Sequence, residues 1–547
     1  MTPRVARAFD ALAVAILLLL PFQGWHRAGA VSSGWRYVSD RYITGPDSAS
    51  WAENAVAFAQ GRYGDLDDHR MPTWTLLTGI TMTLTHLDVA SAGHLLNRGM
   101  HLLLGPAVYA LGRAVGLRGA AFAAAAMVAF HPALLSAAAV FGVDPTVELL
   151  VVATLLSARV AGRWWWFAPV AGMIGGLTAT AHLTAIAFWV TGAAMCLFTG
   201  RGSWRWIALL LYVGSAGLTV YAVYQVFPLM PRDMVTDVFA EGIATTAGNT
   251  SPAAAAASRA AALQTLQANA PRAVTTALHR IVTEFHLGTP WTFSIALFWA
   301  GLLGPRAFQP GEHVLGAPRW KERLRWAARS VGEGLPLVLA CAPMVALAAA
   351  NAPARYSQNL LPVGILLLAR GASTMVAGVH AAGLRFRWWR LDAVRAAMLA
   401  EGVLAVGCVL RDQADDLQRA PLPRQNGEDP AEQALQLGKV LAERFPAGGG
   451  AASILRDPLP YAGMPYCPHT ACPMSATEQG FAECITIMRH ECQGDGPIPY
   501  VVIDALPNDQ LTPARRAMDA WITAASQPIA TSGEARIYAI PRTGAYP

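Results

Sequence analysis

Apolar segments of roughly 15 to 22 residues, the length an α-helix needs to cross a bilayer, recur in this chain from Ala11 to Leu410. A backbone in hydrocarbon must satisfy its own hydrogen bonds, so a chain with many such segments folds as a bundle of membrane helices. Charge agrees: 14% of the residues are charged, against about 25% in a soluble domain. The formal charge of +6 would suit a nucleic-acid binder if it formed a stripe. Instead the arginines stand in clusters between apolar segments, the pattern that orients membrane proteins. No zinc finger, nucleotide-binding glycine loop or recognition helix accompanies them, so nucleic acid is excluded as a partner.

The expected layout is a polytopic α-helical membrane protein of about eleven spans. Arg4 and Arg7 precede the first apolar run, Ala11 to Pro21, read as a retained anchor; Ala28-Gly29-Ala30 leaves a cleaved signal peptide as the alternative. Thr73 to Leu87 is apolar but short and threonine-rich, and is expected to lie along the interface. Spans then follow over Leu95–Val115, Ala120–Phe141, Asp144 to Arg159/Arg163, Trp164–Thr180, Leu183–Thr199, Trp206–Phe227, Trp291–Leu303, Leu335–Ala350, Asn359–Gly378 and Ala396–Leu410. Between Leu303 and Leu335 the cluster Arg319-Trp320-Lys321-Glu322-Arg323-Leu324-Arg325 reads as an inner loop. With this count every alternate loop is basic, so the first loop (24–94), the long loop (228–290), Asp144 and everything after Leu410 share the outer face. Twelve spans would put the basic clusters of the two halves on opposite sides.

Carboxylates are scarce here, yet the first loop holds Asp40, Asp47, Glu53, Asp65, Asp67 and Asp68. Acids just outside the bilayer can act as bases on a substrate held at the interface, and a solvated loop is the plain alternative. Asp144 precedes Pro145 and can simply cap a helix; Glu148 shares its face one turn later, which suits a cation site or a solvated helix end. His182 lies between two spans, Arg355 can anchor a helix end to headgroups, and His131 beside Pro132 can satisfy a carbonyl freed by the proline. Trp164-Trp165-Trp166 reads as an interfacial belt.

After a polar linker (411–430), residues 431–547 alternate helix and strand. Helices are expected over Ala431–Phe445, Ser475–His490 and Pro513–Ala525, with strands at Ala452–Leu455, Tyr500–Asp504 and Ala535–Ile540, a small extracytoplasmic α/β domain. Cys196, Cys341 and Cys408 fall in spans and read as packing residues. Cys467, Cys472, Cys484 and Cys492 fall in the outer domain, where an even number favours two disulfides, with Cys467–Cys472 and Cys484–Cys492 preferred. A zinc site with His469 and His490 is the alternative.

Asp47 with Trp51, Ala52, Glu53 and Ala55 resembles the first-loop motif of the C-class (GT-C) glycosyltransferases, of the aminoarabinose transferase and protein O-mannosyltransferase type. Gly64-Asp65, Arg70-Met71-Pro72, Asn97-Arg98, His131-Pro132, Asp144-Pro145 and Arg355-Tyr356 with Pro362 follow in that family's order, over roughly residues 1 to 410. Ser48 departs from the usual second acid and His182 from a frequent lysine, which leaves the donor sugar and any divalent cation open. The resemblance implies Asp47 as catalytic base and basic residues holding the phosphate of a polyprenyl-phosphate sugar.

The chemistry also stands by itself. A lipid-phosphate sugar carries its own leaving group, an acceptor hydroxyl needs a base such as Asp47, and the departing phosphate needs cations, for which Arg70, His182 and Arg355 are the outer-face candidates. Asp144, Glu148 and Glu53 form a second acidic group. The expectation is a multi-pass plasma-membrane glycosyltransferase acting on a lipid, glycan or protein acceptor. Its rivals are a transporter or flippase for lipid-linked glycans, which would bury ionisable residues mid-span, and a non-catalytic envelope assembly protein.

Overall fold

The computed structural model describes residues 3–32, 46–63, 66, 70–117, 119–139, 141–182, 185–200, 202–226, 264, 272, 291–305, 319–343, 359–381, 430–445, 452–453, 458–464, 482, 485–486, 488–490, 492, 496–503, 513–532 and 535–544. The expected span Ala396–Leu410, most of the long loop, Arg355-Tyr356, Asp40, Asp65, Asp67, Asp68, Cys408, Cys467, Cys472 and Cys484 lie outside these residues.

Sixteen helices and four strands follow one another among the described residues. The first is α1 (Pro3–Ser32), which buries Ala13 and Leu17 against later helices. The acidic first loop is not a solvated loop at its start. Pro46–Ala59 forms a helix, α2, with proline in its first turn, where the missing N–H costs nothing. Ala49, Ala52 and Ala55 recur on one face and are fully buried. The threonine-rich segment is α3 (Pro72–Thr85). Its first half is buried, and in its second half Thr81, Thr83 and Thr85 donate to the carbonyls of Leu77, Gly79 and Thr81, which removes hydroxyl donors from apolar surroundings.

α4 (Val89–Ala114) starts earlier than expected because Asp88 caps it, accepting from the Ser91 N–H at 2.9 Å. Asn97-Arg98 therefore sits inside this helix rather than opening it. The expected span Ala120–Phe141 is broken into α5 (Gly119–Phe130) and α6 (Pro132–Ala139). Pro132 cannot continue a helical hydrogen-bond ladder, and His131 Nδ1 accepts from the Ala133 N–H at 3.3 Å. That ring nitrogen caps the second helix.

α7 (Asp144–Arg163), a single turn at Trp165–Phe167, α8 (Ala168–Ala179), α9 (Ile186–Thr199) and α10 (Trp204–Val226) follow close to expectation. Gly172 and Gly176 let α8 meet the backbone of α10, where a Cβ at either would clash with Tyr212, Ala216 and their neighbours. α11 is Trp291–Leu303. The basic cluster at Arg319 is not a loop but the first turns of α12 (Arg319–Ala340). α13 (Leu361–Ala381) is the last bundle helix among the described residues. Among the described residues, Asp144–Arg163, Trp204–Val226 and Leu361–Gly378 are long and apolar enough to cross a membrane. Leu210, Leu218 and Tyr221 of α10 are mostly exposed, the apolar side a lipid-facing helix presents.

Two arginines are engaged between helices. Arg159 Nη2 lies 2.9 Å from Glu333 Oε1, and fully buried Arg370 donates to the Ser330 carbonyl at 2.7 Å between the backbones of Gly304 and Gly334.

Towards the C-terminus, α14 (Pro430–Arg444), α15 (Leu459–Ala462) and α16 (Pro513–Ala525) accompany a four-stranded sheet, order β1-β2-β4-β3. β1 (Ala452–Ser453) runs parallel to β2 (Ile498–Ile503). β4 (Ala535–Ile540) is antiparallel to both β2 and β3 (Ala530–Ser532). Alternate residues face opposite layers. Ile498, Tyr500, Tyr538 and Ile540 pack with Met488 and Ile522, whereas Val501, Ala535 and Ile537 pack with Leu437, Leu441 and Leu459. Described residues of the expected Ser475–His490 helix (482, 485–486 and 488–490) are helical. This unit touches α2: Arg62 Nη2 donates to the Gly463 carbonyl at 3.0 Å, and Tyr461 packs on the main bundle core.

Candidate functional site

Three elements meet at the end of the bundle where α7 begins. Ser48, in the first turn of α2, donates to the Phe141 carbonyl at 2.6 Å. Phe141 ends three residues before Asp144, and Ser48 follows Asp47, so this bond ties together the turns that carry the two acids. Trp74 of α3 fills the space beneath: its ring meets Phe141 edge-on at 4.9 Å and Trp51 at 6.2 Å. Its Nε1 donates to Asn97 Oδ1 of α4 at 3.0 Å, which satisfies a polar group on a fully buried side chain. His94 stands edge-on to Phe141 at 5.8 Å.

Arg70 reaches this end from the segment before α3. Its Nε donates to Ser50 Oγ at 3.0 Å, and its guanidinium lies 5.5 Å from the Trp51 ring centre. A guanidinium matches phosphate in charge and planar geometry.

Asp144 is half-buried in the first turn of α7, while Glu148 is fully buried with neither carboxylate oxygen hydrogen-bonded. Glu53 is buried on α2. His182 follows α8 near Thr180, whose carbonyl accepts from the Thr73 N–H at 3.1 Å. Burial lowers its imidazole to about 4, so it offers a neutral ring, a hydrogen-bond donor without charge. Arg355 and the side chain of Asp47 lie outside the described residues; the backbone places Asp47 in the first turn of α2. Among the described residues no three His, Cys, Asp or Glu side chains stand close enough to hold a metal.

Ser48, Ser50, Trp74, Asn97 and Phe141 hold this arrangement together, and sequence reasoning had assigned none of them that task. Trp74 carried a usable signal, a tryptophan two residues after the Arg-Met-Pro step. The bond from Ser48 to Phe141, 93 residues apart, had none.

Away from this end, Cys492 is buried and disulfide-bonded. Cys196 and Cys341 are free and buried in the bundle.

No family profile matches the chain and no curated protein matches it. Solved structures do. The apo oligosaccharyltransferase of Archaeoglobus fulgidus matches with a TM-score of 0.50 at 13% identity, over 90% of this chain and 69% of that one. ArnT from Cupriavidus metallidurans in the apo state matches with a TM-score of 0.46 at 14% identity, over 98% of each chain. The same protein bound to undecaprenyl phosphate gives 0.46 and 14%, over 97% of this chain and 98% of that one. The fold shared with the oligosaccharyltransferase, together with helices able to cross a bilayer, makes this chain a membrane protein with the GT-C fold.

Proposed function

We propose that this chain is a membrane glycosyltransferase that moves a sugar from a polyprenyl-phosphate donor to an acceptor hydroxyl. The site lies at the end of the bundle where α2, α3 and α7 converge. The observation that carries this reading is the bond from Ser48 to the Phe141 carbonyl, which brings the Asp47 turn to the Asp144 turn beside Arg70.

In this reading Asp47 takes the proton from the acceptor hydroxyl as its oxygen bonds to the anomeric carbon. The bond from that carbon to the phosphate oxygen breaks, and the lipid phosphate leaves with the electron pair. Arg70 and Arg355 meet its charge and neutral His182 donates a hydrogen bond. Asp144, Glu148 and Glu53 orient the acceptor. The fold shared with an oligosaccharyltransferase supports a lipid-linked donor, with a lipid, glycan or protein as acceptor. The plasma membrane is the expected location, with the sheet unit on the same outer side as Asp47. A transporter is disfavoured because Arg159, Glu333 and Arg370 are engaged between helices rather than lining a path.

The test is sugar transfer in membranes at matched expression, with the lipid-linked sugar that accumulates in cells lacking the chain as donor. Asp47→Asn should lower the rate about a hundredfold to ten-thousandfold, and Asp67→Asn should leave it near normal. If Asp47→Asn transfers normally and Asp144→Asn does not, the base is on α7.

A further inference from the structure

At the far end of α7 from Asp144 the structure holds a second constructed surface. α7 has 20 residues, about 30 Å at 1.5 Å per residue, the thickness of a bilayer's hydrocarbon core. Its last residue, Arg163, therefore reaches the opposite membrane surface. Gly162 lets the end of α7 meet Thr199 at the end of α9, and Gly200 lets the chain turn tightly against Arg205. These contacts bring the start of α10 beside the corner between α7 and α8.

Five tryptophans gather there. Trp165 stacks on Trp204 with ring centres 5.3 Å apart and planes within 12°, and Trp164 stacks on Trp166 at 6.4 Å and 20°. With Trp206 they remain between 40% and 63% exposed. Arg163 lies over Trp164 at 5.4 Å and Arg205 over Trp206 at 5.3 Å. Both arginines are exposed, and neither has a carboxylate partner among the described residues. The sequence contains no acid between Glu148 and Asp233, so no neighbour along the chain neutralises them.

We propose that this surface is a binding site for the headgroups of anionic phospholipids. Exposed indoles with apolar faces and an N–H suit the boundary between acyl chains and headgroups, where water covers only one side. A guanidinium lying on an indole face is oriented without losing its outer edge, which can donate two parallel hydrogen bonds to a phosphate. The surface is open and broad, so the tryptophans add binding only for an anion that brings acyl chains with it. That separates a lipid from free phosphate.

The experiment uses the full-length protein in nanodiscs of phosphatidylcholine, with or without phosphatidylglycerol, and reads retained lipid by native mass spectrometry. The wild type should retain phosphatidylglycerol in preference to phosphatidylcholine. Arg163→Gln with Arg205→Gln should reduce that preference roughly fivefold per arginine, and Arg163→Lys with Arg205→Lys, which keeps the charge but loses the planar fork, should keep only part of it. Inorganic phosphate added to phosphatidylcholine nanodiscs should not raise the thermal midpoint. A wild type without lipid preference overturns the proposal, and this comparison decides even if a variant folds poorly. So does an unchanged preference in a folded glutamine variant, or stabilisation by inorganic phosphate equal to that by phosphatidylglycerol.

Discussion

Arg70 donates from Nε to the Ser50 hydroxyl at 3.0 Å, so the residue before the Met-Pro step is fixed to the third turn-forming residue after Asp47. Because its guanidinium also lies on Trp51, charge and shape both matter at this position. Arg70→Ala should raise KM for the lipid-linked donor more than it lowers kcat, since it removes a cation that meets phosphate rather than a proton acceptor. Arg70→Lys keeps the charge but loses the planar fork and should recover only part of the affinity. Equal KM in all three proteins would remove Arg70 from the donor site.

Glu148 is a fully buried carboxyl group without hydrogen bonds, which costs stability, about 1 to 3 kcal/mol for an unsatisfied buried polar group. Glu148→Leu should therefore raise the thermal midpoint while lowering transfer, a trade expected of a functional group. A leucine variant that melts earlier and transfers normally would make Glu148 an ordinary part of the packing.

His182 gives stability a pH dependence of defined sign. Its imidazole is held down to about 4 by burial, against about 6.5 for an exposed histidine. Between these values the unfolded chain binds the proton and the folded chain does not, so stability falls as pH drops from 6.5 towards 4. Thermal midpoints of wild type and His182→Gln should converge in that window. Parallel curves would place the ring in water.

Cys492 is disulfide-bonded within the sheet core. Thiol labelling of intact membranes should leave it unmodified until a reductant is added. Cys492→Ser should cost about 2 to 5 kcal/mol. Labelling without reductant would show a free thiol.

Proline made several boundaries legible. Pro46, Pro72, Pro132 and Pro145 stand at or next to helix starts, and the sequence pattern of the C-terminal region located β2, β4, α14 and α16. The start of the first loop carries Asp, Ser and Asn, a composition that fits a solvated loop or a site, yet Ala49, Ala52 and Ala55 offer a narrow face small enough for α3 to approach. α12 was split because its first turns are basic and its last apolar, and a helix that leaves a membrane changes composition without changing conformation. Of the site, the acids and Arg70 could be picked out by type and order. The pairs that position them, Ser48 with Phe141 and Trp74 with Asn97, are contacts across the fold that local pattern does not encode. Arg159 looked like an orientation signal; that its partner is Glu333, 174 residues on, depends on how helices pack.

The contact between Arg62 and Gly463 spans 401 residues of chain, and this sets a schedule. At synthesis rates of about 5 to 20 residues per second, α2 waits roughly 20 to 80 seconds between leaving the ribosome and meeting its partner. In the finished fold α2 packs on α3 through Ala55 and Phe58, and the contact that has to wait is the one from Arg62, just beyond its end, to Gly463. A chain interrupted before Gly463 would insert its bundle and still lack the clamp, so truncation late in the gene is expected to silence a site encoded near its beginning.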